Sequence, residues 1–383
     1  MTHHLLRWCE ARQDWLLDVV AALVTRESPS TDKAAVDRCG VELSTRLAAL
    51  GAAVTRTSGG QRGDHVRADF QHRGDGGRVM LLGHFDTVWP VGQLERMPFR
   101  ADAATGRLHG PGVFDMKAGI AVALLAVRAL REHDLPHPHV TMLWTADEEI
   151  GSGTSRDLVE RTARDCDAVL VLEPSLPGGA AKTSRKGCGE FEIVAHGIAA
   201  HAGLNPGAGA SAIHELARQI VDLQALQDAA RGITVNAGTI VGGSRANVVA
   251  ETARAVIDVR VPAMADAVAI EAVFASLRPH DRRVRLEVTG AIARPPLERS
   301  RAVTTLFSLA QEVAGGLGHA LGEGTAGGGS DGNFTAAIGV PTLDGLGPRG
   351  DGAHALHEHV DLQDLPWRAA FLAGLLRRIG GGQ

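Results

Sequence analysis

Apolar residues fall in short, nearly unbroken runs up to about residue 172 and in alternating runs from about residue 186, and this change of texture divides the chain. Arg78-Val79-Met80-Leu81-Leu82-Gly83, Val140-Thr141-Met142-Leu143-Trp144 and Ala168-Val169-Leu170-Val171-Leu172 read as strands buried on both faces. Helical periodicity predicts helices at 14–23 and 36–50 before a strand at 65–70. A further helix at 117–133 carries Ile120, Val122, Leu124, Leu125, Val127 and Leu130 between the first and second runs. Strand alternating with helix predicts an α/β domain, a mostly parallel sheet with helices on both faces. Each apolar strand ends in polar residues, and ligands of such sheets gather at the carboxyl ends of the strands.

Beyond Lys186, segments 191–196, 233–241, 253–261 and 283–289 alternate like strands of a half-exposed antiparallel sheet, with helices expected at 211–227 and 265–277. This predicts an inserted α+β domain of ferredoxin-like size over 186–296. Arg294-Pro295-Pro296 reads as the hinge back to the first domain, which would comprise 1–185 and 297–383 and end with a helix at 300–314, a glycine-rich stretch at 315–332, a strand and a helix.

Composition narrows the function classes. A net charge of -5 and only 4% aromatic residues, with no tyrosine, give neither a basic footprint nor stacking platforms for nucleic acid. No apolar run approaches membrane-spanning length, and the amphipathic start reads as a first helix of a cytoplasmic protein. Cys9, Cys39, Cys166 and Cys188 are scattered, so neither a disulfide framework nor a thiolate zinc site is indicated, and any metal must use His, Asp and Glu.

The candidate chemistry is concentrated at strand ends. Glu148-Glu149 follows the second apolar run, and two adjacent carboxylates there call for full solvation or a nearby cation. His84 follows the first run, with Asp86 two residues on; Glu173 follows the third. Asp115 sits in Gly110-Pro111-Gly112-Val113-Phe114-Asp115 at a helix entrance, and His354 lies in a late loop. Taken singly, these residues read as a polar turn, an N-cap or a solvated loop. Two histidines with four carboxylates form the mixed N/O ligand set of a dinuclear zinc hydrolase. Two other motifs compete. Gly322-Glu323-Gly324-Thr325-Ala326-Gly327 matches a dinucleotide fingerprint but follows a helix, and Gly328-Gly329-Ser330-Asp331-Gly332 matches a nucleophile elbow but lacks the strand that should present Ser330.

Over nearly its whole length the chain resembles the aminoacylase/carboxypeptidase G type dizinc metallopeptidases. The resemblance rests on Glu27-Ser28-Pro29-Ser30, the His84 box, Gly112 to Lys117, Asp147 to Gly151, Glu173-Pro174, His201-Ala202-Gly203, Asp258-Val259-Arg260, Ser330-Asp331-Gly332-Asn333 and Gly352-Ala353-His354 to Glu358. It implies two Zn2+ per subunit, replaceable by Co2+ or Mn2+: one held by His84 and Glu173, one by Glu149 and His354, with Asp115 bridging and a cis peptide after it. His354 is preferred to His357 and His359 because Glu358 then aligns with the usual glutamate. It further implies Glu148 as general base on a metal-bridging water, Asp86 orienting His84, and His201 stabilising the oxyanion, within its own subunit or from the partner subunit of a dimer. Arg260, Asn247, Ser330 and Asn333 would contact substrate, and 186–296 would be a lid and homodimerisation domain.

The activity expected is hydrolysis of a small amide or peptide next to a free carboxylate, closest to bacterial glutamate carboxypeptidases. Deacylation of N-acyl amino acids and dipeptide cleavage are the alternatives on the same site. A serine hydrolase using Ser330 and a noncatalytic binding protein are alternatives of other classes.

Overall fold

The structure, a computed structural model, describes residues 2–72 and 76–381. The chain divides into two compact units: Met1–Ser184 with Arg299–Ala326 and Ser330–Gln383, and Arg185–Glu298 with Gly327–Gly329.

The first unit is built on a sheet of β1 (Ala53–Thr57), β2 (His65–Phe70), β3 (Arg78–His84), β4 (His139–Thr145), β5 (Ala168–Val171) and the short strand Thr342–Leu343. The spatial order is β1-β2-β4-β3-β5 and then Thr342–Leu343. From β4 onward the pairs are parallel, whereas β1 and β2 join antiparallel at one edge. Alternation explains how the apolar runs are covered on both sides. Val79, Leu81, Val140, Met142 and Leu170 pack into a large core with the helices Gln13–Val24, Lys33–Ala49, Ala118–Glu132, Arg301–Gly316 and Asp364–Ile379. Met80, Leu82, Leu143, Val169 and Val171 face the other way, against Val159 and Ala163 of Arg156–Arg164 and Phe334 of Gly332–Ala337.

The second unit is an antiparallel sheet of β6 (Gly187–His196), β7 (Thr234–Gly242), β8 (Thr252–Val261) and β9 (Arg285–Arg294) in the order β7-β8-β6-β9. Phe191, Ile193, Ile257 and Val259 form its core with Leu216 and Leu223 of helix Ala212–Gln224 and Ile270 and Phe274 of helix Met264–Ser276. Ser211 caps the first of these helices by accepting from the His214 N–H at 3.2 Å.

Three features escaped the hydrophobic pattern, one of them the two-stranded sheet that pairs Ala181–Arg185 with Glu323–Ala326. β1 is an exposed edge strand, Ala-Val-Thr-Arg-Thr, with no apolar face to read. A small sheet of Arg100–Asp102, Arg107–His109, Gly350–Asp351 and His359–Asp361 has strands of two or three residues, too short for any period. That sheet matters for the site. Gly350 and Asp351 pair with Val360 and His359, which closes the loop carrying His354; His359 and Val360 pair with His109 and Leu108, immediately before the Asp115 segment.

Candidate metal centre

Three of the converging side chains come from the carboxyl ends of neighbouring parallel strands. His84 ends β3, Glu149 lies in the single turn Glu148–Ile150 after β4, and Glu173 lies just past β5. Asp115 and His354 arrive on the two loops that the small sheet ties together. Both loops need unusual backbone. Gly112 (φ 70°) and Gly352 (φ 84°) take left-handed conformations that suit glycine, and His354 itself has φ 61°. The Asp115–Met116 peptide is cis.

Asp115 is the centre of the arrangement. Its Oδ1 lies 3.1 Å from His84 Nε2 and its Oδ2 3.4 Å from His354 Nε2. His84 Nε2 is also 3.3 Å from Glu173 Oε1, and His354 Nε2 is 3.1 Å from Glu149 Oε2. The five residues therefore form two N/O groups that share one carboxylate. His84, Asp115 and Glu149 each offer a ligand atom within 4.8 Å of the others. His84 is buried, while the His354 side chain is 52% exposed, so the cluster opens to solvent on the His354 side.

Within the cluster the imidazoles and carboxylates shift one another's proton affinity, against the effect of burial. Asp115 and then Glu149 push His354 up to about 10. Burial alone would lower His84, but Asp115, Asp86 and Glu173 outweigh it and raise it well above the ordinary imidazole value. Burial would raise Asp115, yet His354 and His84 hold it below the usual carboxylate range. Glu149 goes up, because burial prevails over its pairing with His354. Two imidazole nitrogens and three carboxylates suit a divalent ion of the zinc type in each group, which would occupy the place of the shared protons. Among the described residues none hydrogen-bonds the buried Glu149 Oε1, so a ligand atom is available there.

A layer of hydrogen bonds fixes these side chains. The His84 Nδ1–H points at the Asp86 carbonyl (3.1 Å) and its carboxylate (3.3 Å), which sets Nε2 toward Asp115. The wholly buried Asp86 carboxylate also accepts from Ser30 Oγ (2.6 Å) and from the backbone N–H groups of Glu148 and Glu149, both at 3.3 Å. Asp147 accepts from the Thr154 N–H and hydroxyl, each at 2.7 Å, and Thr154 meets His65 Nε2 at 3.1 Å. Asp331 accepts from Thr145 (2.8 Å) and from Ser152, bracketing the acidic turn. Sequence reasoning missed Asp331, His65 and Asp147. Asp331 stands at the N-cap of Gly332–Ala337, but its side chain makes no cap bond and turns to Thr145 and Ser152.

The remaining candidates have other surroundings. Ser330 and Asn333 are buried in the first unit; the Ser330 hydroxyl donates to Asp344 at 2.6 Å, and its N–H donates to Asn333 Oδ1 at 2.9 Å. A serine nucleophile must be able to reach substrate, and Ser330 is buried with its hydroxyl committed to the buried Asp344, whose carboxylate also takes the Gly345 N–H. His201, Asn247 and Arg260 belong to the second unit. His201 Nδ1 accepts from the N–H groups of Gly203 (3.1 Å) and Leu204 (3.0 Å), so its neutral form carries the hydrogen on Nε2. The Asn247 carbonyl accepts from the N–H of Ala202, next to His201. Arg260 donates through Nε and Nη2 to Asp258 and through Nη1 to Cys188 Sγ at 2.7 Å. Among the described residues no helix is long and apolar enough to cross a membrane.

The profile of Peptidase family M20/M25/M40 matches residues 80–378. Carboxypeptidase G2 of Pseudomonas sp. (strain RS-16) is 29% identical over 382 residues, covering 97% of this chain and 91% of the relative. A succinyl-diaminopimelate desuccinylase of Pseudoalteromonas atlantica is 29% identical over 330 residues, covering 80% and 85%. Among solved structures, the aminopeptidase PepT of Bacillus cereus has a similar fold with a TM-score of 0.81 at 20% identity, covering 96% of this chain and 98% of that one.

Proposed function

The chain belongs to peptidase family M20/M25/M40 and is a metallohydrolase, and from that premise we propose that it cleaves an amide or peptide bond beside a free carboxylate, as a glutamate carboxypeptidase does. The observation that carries the reading is Asp115, whose two oxygens face two different imidazoles. We assign His84 and Glu173 to one zinc ion, His354 and Glu149 to a second, and Asp115 to both, with Co2+ or Mn2+ as replacements. When bound, the ions supply Lewis-acid polarisation of the scissile carbonyl and of the attacking water.

The chain's own residues do the rest. Glu148 takes the proton of the water and passes it to the leaving amine, and Asp86 holds the backbone at both residues of the doublet. His201, with Nε2–H fixed by the turn that occupies Nδ1, donates to the carbonyl oxygen as charge develops there. Arg260 meets the substrate carboxylate through guanidinium N–H groups beyond those it gives to Asp258 and Cys188, and Asn247 is a separate substrate contact. The Ser330 hydroxyl goes to Asp344 and its N–H to Asn333 Oδ1, which favours holding the loop over touching substrate. The homodimer expected through the second unit is supported by the edge strand β7, which leaves Ile240 and Val241 more than half exposed.

The likeness to a desuccinylase favours one second reading, deacylation of an N-acyl amino acid on the same centre. A panel of C-terminal glutamate amides, dipeptides and N-acyl amino acids separates the two. Chelation should abolish turnover and zinc restore it, with the glutamate amides fastest; the reverse order selects the deacylase. Turnover that survives chelation, or none on any free-carboxylate amide, contradicts the proposal.

A further inference from the structure

Glu358 takes no part in the chemistry above, yet its carboxylate is buried and accepts four hydrogen bonds. Oε1 accepts from the backbone N–H groups of Phe114 (2.9 Å) and Asp115 (3.1 Å). Oε2 accepts from the N–H of Gly112 (3.0 Å) and from the indole Nε1–H of Trp89 (2.9 Å). These donors belong to the loop after His84 and to the segment that ends in Asp115, and Glu358 itself closes the loop that carries His354.

We infer that Glu358 is a positioning residue that assembles the metal centre before any metal arrives, by fixing the backbone of Asp115 against the loops of His84 and His354. All four partners are N–H donors, so only a group with two acceptor oxygens satisfies them. Glutamine has the same shape, but its NH2 would face two of the donors and leave both unpaired. The carboxylate is required for its lone pairs, and the glutamate length lets it reach two loops at once.

The inference rests on the metal reading above, and the test separates the two. Zinc is titrated into the metal-free full-length protein by calorimetry, with Co2+ spectra to report ligand geometry. Wild type should bind two ions. Folded Glu358→Gln should bind them about tenfold to a hundredfold more weakly, with an altered cobalt spectrum. A variant that folds and keeps wild-type affinity and spectrum overturns the inference alone; wild type that binds no divalent ion overturns the metal reading and the inference with it. Should Glu358→Gln not fold, hydrogen exchange on metal-free wild type decides. Protected amides at Gly112, Phe114 and Asp115 support a preformed centre, and amides that exchange freely until zinc is added overturn it.

Discussion

Replacing Asp86 by asparagine probes how the acidic doublet is held. The carboxylate has two acceptor faces. Oδ1 takes the Glu148 N–H and faces His84 Nδ1, while Oδ2 takes the Glu149 N–H and the Ser30 hydroxyl. In Asp86→Asn one face becomes an NH2. The Ser30 hydroxyl can rotate to accept, so the less costly flip puts NH2 on the Oδ2 side and orphans the Glu149 N–H. An unpaired buried donor costs about 1–3 kcal/mol, and the remaining bonds lose their charge assistance, for a total of about 2–4 kcal/mol. Ser30→Ala is the control: it removes one charge-assisted bond, costing about 1.5–3 kcal/mol, and leaves both backbone donors satisfied. Urea unfolding of the metal-free protein reads the stabilities, and zinc calorimetry reads the centre. Asp86→Asn should weaken zinc about tenfold to a hundredfold, whereas Ser30→Ala should change it little. A loss under about 0.5 kcal/mol in Asp86→Asn with unaltered zinc affinity would refute the reasoning, because the buried carboxylate would then be holding nothing.

Three further outcomes follow from other parts of the fold. Burial alone would raise Asp69, but Arg67, His139 and Thr141 hold it down to about 2. Its contribution to stability is therefore present above the unfolded value of roughly 3.9 and lost as pH falls toward about 2, and acid unfolding of Asp69→Asn should lack that part of the slope. At Gly119 a Cβ would stand 2.2 Å from the Leu172 carbonyl oxygen, which no side-chain rotation relieves. Gly119→Ala should cost about 1–3 kcal/mol in urea unfolding and weaken zinc binding by shifting the backbone next to Glu173; an unchanged midpoint would contradict this. Cys9, Cys39 and Cys166 are buried, and burial pushes the Cys9 and Cys166 thiols up to about 12. Cys188 is half-buried, so a thiol reagent at neutral pH should label it first, with the other three reacting only in denaturant; fast labelling of two or more thiols would contradict the packing.

The central strands were legible because burial on both faces leaves an unbroken apolar run, as in Met80 to Leu82, and the insert because one open face leaves alternation, as in Phe191 to His196. β1 and the small sheet were not. The first exposes nearly every side chain, and the second is too short for a period, although it is the element that brings the His354 loop to Asp115. The residues that converge were readable as polar residues placed just after apolar strands. Among their supports Asp86 was readable beside His84 and Glu358 as a motif residue, but the bonds that Asp331, Glu358 and His65 make were not, because they reach backbone amides and hydroxyls far away in sequence, and a distant hydrogen bond leaves no local pattern. Ser330 shows the opposite failure. Its motif suggested chemistry, while its neighbours commit it to Asp344.

The metal centre needs one carboxylate of the Glu148-Glu149 doublet as a ligand and the other as a proton carrier. Metal content per chain, measured alongside turnover for Glu148→Gln and Glu149→Ala, tests this division most directly. Wild type and Glu148→Gln should each retain two ions, with turnover in Glu148→Gln reduced by about 10²–10⁴-fold, while Glu149→Ala should lose metal. Equal loss of metal from both variants, or full turnover in Glu148→Gln, would contradict the assignment of one carboxylate to the metal and the other to the proton.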